Sequence, residues 1–400
     1  MYDFGFSIPT EIIFGEGCEM QAGSLMKQWA DRVLLIYGSE RIFTAEEGGR
    51  SLGERLTMCL QEAGCTVFCY GGIRPNADAA FIDSAIAVVR KEGIQGILAV
   101  GGGSVIDTAK AISAGCCFPG NITELYENPS AYPEMFLPVG AVATMAATAS
   151  ESNETSVISD EKTGHKIMRA FKETKPKFAL LNPALTAGVS AFQTAAGGFD
   201  IFAHAFERYF DLHRNSSIFD AMTLSLMQQI VEILPKVLAE PENLDLRGEL
   251  MVSSNIAHND MLGPGGDFAC HEMSHIVTEH FKLTHGAALA LLIPQWCNYV
   301  RAENPERMAS FFRAVFNASG DNDEYIIEKG MDALRKFIGE IGLPLSLAEA
   351  IERGFAKPSD TGDAAVTKMA GEAAGRAGCI GFGFTSLKQK DIEEIFKRIL

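Results

Sequence analysis

The segment from residue 32 to residue 110 constrains the fold more than any other part of this 400-residue chain. Short, continuously apolar runs alternate there with helical runs: apolar at 32–37, 66–70 and 97–100, helical at 52–60 and 78–91. Strands that are buried on both faces have this continuous apolar character, so the alternation is typical of a parallel sheet covered by helices. The sequence therefore predicts an α/β, Rossmann-like domain in the first part of the chain.

A triple glycine, Gly101-Gly102-Gly103, follows the third apolar run directly and opens a helical segment through Ser104 and Asp107. Glycine lets the backbone approach a ligand closely, and the N–H groups at a helix start attract an anion such as a pyrophosphate. The pattern predicts a dinucleotide site, although it differs from the usual G-x-G-x-x-G. An ordinary glycine-rich turn is the alternative, because such a loop is a weak motif by itself.

Two further segments of this region have the polarity of a ligand site. Small and hydroxyl-bearing residues fill 144–153, so Thr144 and Thr148 are candidates to hold a ribose or a nicotinamide. Residues 157–167 predict a hairpin that places Lys166 near a cofactor phosphate or ribose, and a solvated lysine is the alternative. Strand signals fade after Asn182 and helical runs dominate, which predicts an α/β dinucleotide-binding domain over 1–182 and a helical metal-binding domain over 183–400.

Four of the eight histidines lie between residues 271 and 285. His271 and His275 are four apart, so on a helix they share one face. His271 and His285 would be roughly 21 Å apart on one straight helix, so they can share a metal only if the chain turns between them. Residues 281–284 are the predicted turn, with Thr284 as an N-cap for the next helix.

A second cluster supplies further candidate metal ligands. Asp200 and His204 are also four apart, in another predicted helix that starts near Gly197. Together with His271 and His285 they provide one carboxylate and three imidazoles, a set that suits Fe²⁺ or Zn²⁺ with a coordination position left for a substrate oxygen. The alternative is that these are separate surface or core residues.

His271-Glu272-Met-Ser-His275 is also a literal H-E-x-x-H, which predicts a zinc peptidase with Glu272 as general base. Two observations count against that alternative. Thr278 and Phe281 stand where the extended peptidase pattern has a glycine and a third histidine. A peptidase would also leave the glycine-rich segment unexplained.

The formal net charge of −17 argues against nucleic acid or an anionic membrane as a partner, since both require a basic surface. We expect a cytoplasmic protein, because the sequence contains neither a run of about 20 apolar residues nor a signal peptide. The nine cysteines predict reduced core residues rather than a disulfide framework. Cys116-Cys117 and Cys270 are either reactive or packed, and packing is favoured.

Four motifs occur in order along the chain: Gly101-Gly-Gly-Ser104-x-x-Asp107, Thr148-Ala-Ser150-Glu151, Thr194-Ala-Ala-Gly-x-x-Asp200-x-x-x-His204, and the pair His271 and His285. With these motifs the whole chain resembles the iron-containing alcohol dehydrogenases, most closely their butanol dehydrogenase and aldehyde reductase branch. The resemblance implies a dehydroquinate synthase-like architecture, hydride transfer between a nicotinamide cofactor and a small primary alcohol or aldehyde, and a homodimer. A glycerol dehydrogenase or a dehydroquinate synthase type of activity is the alternative within this architecture.

The resemblance also implies roles for individual residues. Asp200, His204, His271 and His285 fall on metal-ligand positions of the family. His275 falls on a histidine beside the nicotinamide and the substrate, which makes it the catalytic candidate for relaying a proton or orienting the substrate. The cofactor-contacting positions are Gly101, Gly102, Gly103, Ser104, Asp107, Thr144, Thr148, Lys166 and Leu181. Ala149 and Asn182 replace the glycine and the aspartate that this branch usually has.

The choice of cofactor is predicted from the end of the first Rossmann-type strand, where a carboxylate would select NAD through the ribose 2′-OH. Gly38 stands at this position, and Ser39 and Arg41 can meet a 2′-phosphate. NADP(H) is therefore favoured, with Gly38 and Ser39 as further cofactor-binding residues. NAD(H) is the alternative if the side chain of Glu40 turns inward.

Overall fold

A computed structural model describes residues 3–44, 49–159, 166–213, 216–375 and 377–400. The chain forms two compact units, Ile8–Gly188 and Val189–Leu400 with the N-terminal residues up to Ser7. The first unit is α/β and the second is helical, so the predicted fold class is confirmed. Within the described residues, no helix is long and apolar enough to cross a membrane.

One parallel six-stranded sheet forms the centre of the first unit. Its strands are β1 (Glu11–Phe14), β2 (Arg32–Tyr37), β3 (Thr66–Tyr70), β4 (Gly96–Gly101), β5 (Val139–Ala143) and β8 (Phe178–Leu181). They lie in the order β1-β8-β5-β4-β2-β3, and every neighbouring pair is parallel. A separate antiparallel hairpin consists of β6 (Thr155–Ser159) and β7 (Lys166–Ala170). The residues of its predicted turn lie outside the described part of the chain.

Helices cover both faces of this sheet, as the apolar strands predict. They are α1 (Ala22–Lys27), α2 (Leu52–Glu62), α3 (Ala79–Glu92), α4 (Gly103–Gly115) and α5 (Ile122–Glu127). Alternate residues of β2 belong to different core clusters: Leu34 and Ile36 pack into one, and Val33 and Leu35 into the other. Because side chains alternate between the two faces of a strand, two cores on one strand require two helical layers.

The second unit consists mainly of helices. They are α6 (Ala191–Tyr209), α7 (Ser217–Ala239), α8 (Leu244–Ala257), α9 (Ala269–Phe281), α10 (His285–Val300), α11 (Pro305–Phe316), α12 (Asp323–Glu340), α13 (Leu347–Glu352), α14 (Asp363–Ala374) and α15 (Gln389–Ile399), with a two-stranded pair β9 (Cys379–Ile380) and β10 (Leu387–Lys388). Nearly every residue of α6 after its first turn is buried, so α6 is the central helix. Aromatic rings surround it; those of Phe206 and Trp296 are 5.5 Å apart.

Candidate functional site

One face of helix α6 carries three polar residues: Asp200, His204 and Glu207. Their spacings of four and three place them on one face of the helix. All three are buried, at 3%, 6% and 1% exposure. Burying a carboxylate is unfavourable unless it has partners, so this face of α6 requires partners with donor groups or positive charge.

Helices α9 and α10 supply imidazoles to this face. Helix α9 ends at Phe281, the following Lys282 adopts a left-handed conformation with φ 53°, and α10 begins at His285 after the N-cap residue Thr284. The chain thus turns within residues 281–284, the segment where the sequence places a turn. As a result His271, in the first turn of α9, and His285, at the start of α10, both approach Asp200.

The carboxylate of Asp200 is the centre of the cluster. Its Oδ1 lies 3.8 Å from Nε2 of His204, 3.6 Å from Nε2 of His271 and 3.5 Å from Nε2 of His285. Ligand atoms of Asp200, His204 and His271 all lie within 4.8 Å of one another. These spacings suit nitrogen and oxygen atoms around a single ion, since Zn–N and Zn–O bonds are about 2.0–2.2 Å long.

The hydrogen bonding of the cluster also fits a cation. Oδ1 of Asp200, Nδ1 of His204 and Nε2 of His271 are buried and have no hydrogen-bond partner among the residues that the structure describes. Buried polar atoms are almost always paired, and Oδ1 of Asp200 and Nε2 of His271 face each other at 3.6 Å, so these two atoms indicate a missing partner between them. A divalent metal ion satisfies carboxylate and imidazole lone pairs together, and the residues therefore fit the Fe²⁺ or Zn²⁺ that the sequence predicts.

Supporting residues determine which imidazole nitrogens carry protons. Glu207 contacts Nδ1 of His271 in a short hydrogen bond, and because a carboxylate accepts, Nδ1 carries the proton. Ser274 donates its one hydroxyl proton to the carbonyl oxygen of His271 at 2.7 Å, so it must accept from Nδ1 of His285 at 3.0 Å. In the neutral form of each imidazole this places the lone pair on Nε2, toward Asp200, which is the tautomer that a metal ligand needs.

The environment shifts the pKa values of two of the imidazoles in opposite directions. Burial lowers the pKa of His271, but the carboxylates of Glu207 and Asp200 outweigh it and raise that pKa to about 10. Burial, followed by the neighbouring imidazoles His258, His271 and His285, holds the pKa of His204 well below its usual value. His271 thus attracts a second proton, whereas His204 stays neutral. A bound metal ion would replace the second proton of His271.

His258 and Arg208 are site residues that the sequence reasoning did not identify. The ring of His258 stacks on that of His204 at 4.2 Å with an interplanar angle of 18°. Nη2 of Arg208 lies 3.0 Å from Nδ1 of His258, and an arginine always donates, so the proton of this imidazole is on Nε2. Arg208 also donates to the carbonyl oxygens of Ala257, Gly263 and Gly265, which holds the loop that carries His258 in place.

His275 lies one helical turn after His271 on α9. It is half-buried, and its ring centroid is 5.4 Å from that of His285. The adjacent Glu272, the general base of the peptidase alternative, is exposed.

In the first unit, the predicted cofactor positions lie at the carboxyl ends of the parallel strands. Gly38 follows β2, Thr144 follows β5, and Gly101 and Leu181 are the last residues of β4 and β8. In open α/β sheets this is the edge where ligands bind. Lys166 begins β7, where it pairs in register with Ser159.

The glycine-rich turn between β4 and α4 is tightly packed. A Cβ on Gly101 would lie 2.6 Å from Val105, and one on Gly103 would lie 2.7 Å from Oγ1 of Thr148. Only glycine fits at these two positions. Gly102 is the N-cap residue of α4 and has no side chain to cap the first-turn amides, an arrangement that suits anion binding at a helix start.

Asp107 and Lys110 attach the following loop to α4. The carboxylate of Asp107 accepts from the Ser150 hydroxyl at 2.5 Å and from the backbone N–H of Val157 at 3.2 Å. The buried ammonium of Lys110 donates to Ser150 Oγ, Asn153 Oδ1 and the Thr155 carbonyl oxygen, each at 2.9 Å. Burial lowers the pKa of Lys110 to about 8. Both residues therefore position the segment that starts at Thr148.

Lys110 was not predicted as a site residue, although an isolated lysine in the apolar run of α4 is a visible signal. Ala149, which replaces the usual glycine of the resembled branch, lies in the left-handed region with φ 49°. Glycine occupies this region without penalty, whereas an alanine there costs about 1–2 kcal/mol.

Ser39, a predicted cofactor-binding residue, uses its hydroxyl to accept from the N–H of Arg41 at 3.2 Å.

Comparison with known proteins gives matches along nearly the whole chain. The family model described as iron-containing alcohol dehydrogenase matches residues 9–183, and that of the Fe-containing alcohol dehydrogenase family, C-terminal, matches residues 194–400. The probable NADH-dependent butanol dehydrogenase 1 of Bacillus subtilis (strain 168) is 34% identical over 405 residues, which cover 100% of both chains. The NADPH-dependent aldehyde reductase YqhD of Escherichia coli (strain K12) is 31% identical, over 87% of this chain and 89% of that protein.

Solved structures agree with these matches. The crystal structure of NADH-dependent butanol dehydrogenase A from Thermotoga maritima has a TM-score of 0.90 and 28% identity, and the match covers 100% of this chain and 99% of that one. The family models and the relatives define an oxidoreductase that uses a nicotinamide cofactor and a metal. More particularly, the chain belongs to the iron-containing alcohol dehydrogenase family. Its predicted enzyme class, an NAD(P)-dependent alcohol dehydrogenase of the iron type, is thereby confirmed.

Proposed function

We propose that this protein transfers a hydride between NADP(H) and a small primary alcohol or aldehyde, with the substrate oxygen at a metal held by Asp200, His204, His271 and His285. The observation that supports this most directly is the convergence of three imidazole Nε2 atoms on Oδ1 of Asp200, at 3.5–3.8 Å. The butanol dehydrogenase and aldehyde reductase names of the relatives support the substrate class. A homodimer and a cytoplasmic location remain predictions from the sequence.

Different residues of the chain have different roles in the proposed reaction. When bound, Fe²⁺ or Zn²⁺ supplies a Lewis acid for the substrate oxygen, and the nicotinamide supplies the hydride or accepts it. Glu207 and Ser274 keep the imidazole lone pairs directed at the ion. His275 orients the substrate or relays the alcohol proton. The turn at Gly101–103, with Ser104 and Lys166, binds the phosphates and ribose of the cofactor.

The test is anaerobic oxidation of NADPH with butyraldehyde by the chelated protein, before and after addition of Fe²⁺ or Zn²⁺. We expect no turnover without metal and turnover after its addition. Metal-independent turnover would contradict the proposed role of the four ligands. Turnover of glycerol in preference to butanol, or of the dehydroquinate synthase substrate, would move the assignment to those alternatives.

Catalytic efficiency with NADPH is expected to exceed that with NADH. Glu40, the residue that could select NAD, accepts a hydrogen bond from the Tyr37 hydroxyl at 2.8 Å, so one of its carboxylate oxygens already has a partner within the protein. Arg41 is exposed beside Ser39, where a 2′-phosphate would lie. The relatives' names include both NADH-dependent and NADPH-dependent enzymes, so kcat/KM must be measured with each cofactor. Arg41→Ala should lower the value for NADPH alone; a higher value for NADH in the unmodified protein would contradict the preference.

Replacement of His275 by alanine is expected to lower kcat by about 10²–10⁴-fold, the usual contribution of a positioned acid or base, while bound metal stays unchanged. His280→Ala is the matched control, because His280 lies on the same helix with its Nε2 2.8 Å from Glu372. Turnover and metal content of both variants check the assignment. Loss of metal from the His275 variant would make His275 a ligand instead.

A further inference from the structure

Two adjacent thiols lie at the C-terminal end of helix α4. Cys116 is its C-cap residue and is buried, and Cys117 is half-buried. Their Sγ atoms are 3.5 Å apart. The Cys116 thiol donates to the carbonyl oxygen of Ser113 at 3.2 Å, so the thiol proton between the two sulfurs comes from Cys117.

The backbone around this pair is firmly held. Arg90 donates to the carbonyl oxygens of Gly115, Cys116 and Phe118, at 3.1, 3.0 and 2.6 Å. The backbone N–H of Cys116 continues the helix by donating to Ile112 at 2.9 Å. These hydrogen bonds fix the backbone from which both sulfurs extend.

Both cysteines line a cavity of about 730 Å³. The rings of Phe118, Tyr132, Pro119 and Pro133 form its apolar wall, and Asn128 and Glu134 add polar groups. An open, partly aromatic cavity next to two sulfurs has room for an organic group attached to whatever the sulfurs bind.

We propose that Cys116 and Cys117 form a dithiol site for one thiophilic atom that carries an apolar group, with a trivalent organoarsenical as the chemical class. Trivalent arsenic is pyramidal, so bonds of about 2.3 Å to sulfur at an angle of about 100° join sulfurs roughly 3.5 Å apart, which is the spacing here. A direct disulfide fits less well. Adjacent Cα atoms are about 3.8 Å apart, below the 4.4 Å at which disulfides normally begin, so the segment that Arg90 holds would have to move.

The chemistry requires no oxidant. An arsenic(III) oxide, R–As=O, exchanges its oxygen for two sulfurs: two S–H bonds break, two As–S bonds form, and the oxygen leaves as water with both thiol protons. Arsenic stays trivalent and each sulfur becomes a ligand. Two thiols on one rigid segment bind an arsenic atom more tightly than two thiols on separate molecules, because the second As–S bond forms within the same molecule.

The experiment is titration of the reduced, metal-loaded enzyme with phenylarsine oxide, followed by native mass spectrometry and peptide mapping. We expect one adduct on the peptide that contains Cys116 and Cys117, stable to excess glutathione and removed by a small dithiol. Cys117→Ser should weaken binding at least about 100-fold, the lower end of the gain from a second attachment. Cys69→Ser, which removes an exposed single thiol of the same unit, is the matched control and should bind as the unmodified enzyme does.

Unchanged binding by Cys117→Ser, or loss of binding in Cys69→Ser, overturns the proposal. Cys116→Ser and Cys117→Ala provide further variants, each compared with the unmodified enzyme by melting temperature, so that misfolding is separated from loss of the site. Arsenite, which has no organic group, is the second probe. We expect it to bind more weakly than phenylarsine oxide, and equal affinity would overturn the role of the cavity.

Discussion

Replacement of Asp200 by asparagine is expected to lower the affinity for Fe²⁺ or Zn²⁺ by more than about 100-fold and to abolish metal-dependent turnover. Asp200 supplies the single carboxylate of the proposed ligand set, and its Oδ1 faces all three imidazoles. Asparagine keeps the shape but removes the charge that compensates a buried cation. Residues that only support metal ligands contribute about 10–100-fold to affinity, so a ligand itself should exceed that range.

Competition with a chromophoric chelator measures this affinity, and metal content after dialysis provides an independent check. Asp220→Asn is the control, because it also removes the charge of a half-buried carboxylate, one whose oxygen accepts from Arg307 at 2.8 Å. A full complement of metal in Asp200→Asn would show that the imidazoles suffice, and the proposed centre would then be wrong.

The parallel strands were the most predictable part of the fold. The apolar runs at 32–37, 66–70 and 97–100 correspond to β2, β3 and β4 within one residue at each end. Strands buried on both faces differ from amphipathic helices in composition as well as in period, so little else in the sequence resembles them. The continuous burial of β2 and β4 also explains why both faces of the sheet could be predicted to be covered, whereas β3, at the edge of the sheet, is only partly buried.

The start of helix α6 was predicted less well. The predicted start near Gly197 is wrong, because the helix begins at Ala191 after the N-cap residue Ser190. Two adjacent glycines suggest a helix boundary in sequence, yet here they lie inside the helix. A Cβ on Gly198 would lie 2.4 Å from Leu234 of α7, so close packing between helices explains a glycine that helix propensity alone disfavours.

The candidate site likewise contains residues that local sequence spacing could identify and a residue that depends on a distant partner. Spacings of four residues on α6 and α9 are visible in the sequence, and they identified Asp200, His204 and His271. Glu207 was not identified, since its partner His271 is 64 residues away in the chain. Its local signal is only an acidic residue seven positions after Asp200, on the same face of an apolar helix.

Glu207→Gln is expected to lower metal affinity about 10–100-fold, although Glu207 is not a proposed ligand. Its carboxylate accepts from the backbone N–H groups of Cys270 and His271, at 2.6 and 3.3 Å, and from Nδ1 of His271. Glutamine has one oxygen and one NH₂ group, so it cannot accept all three hydrogen bonds. An NH₂ group that faces Nδ1 of His271 moves the imidazole proton to Nε2, where it opposes a metal ion.

Glu272→Gln is the matched control, because Glu272 is the adjacent residue to His271 on α9 but is exposed. The two variants also separate the proposed dehydrogenase from the peptidase alternative. In a dehydrogenase, Glu207→Gln reduces metal affinity and Glu272→Gln leaves both affinity and turnover unchanged. In a peptidase with Glu272 as general base, the second variant loses activity with its metal in place. Chelator competition and turnover on both proteins therefore test the tautomer argument and the reaction class in one experiment.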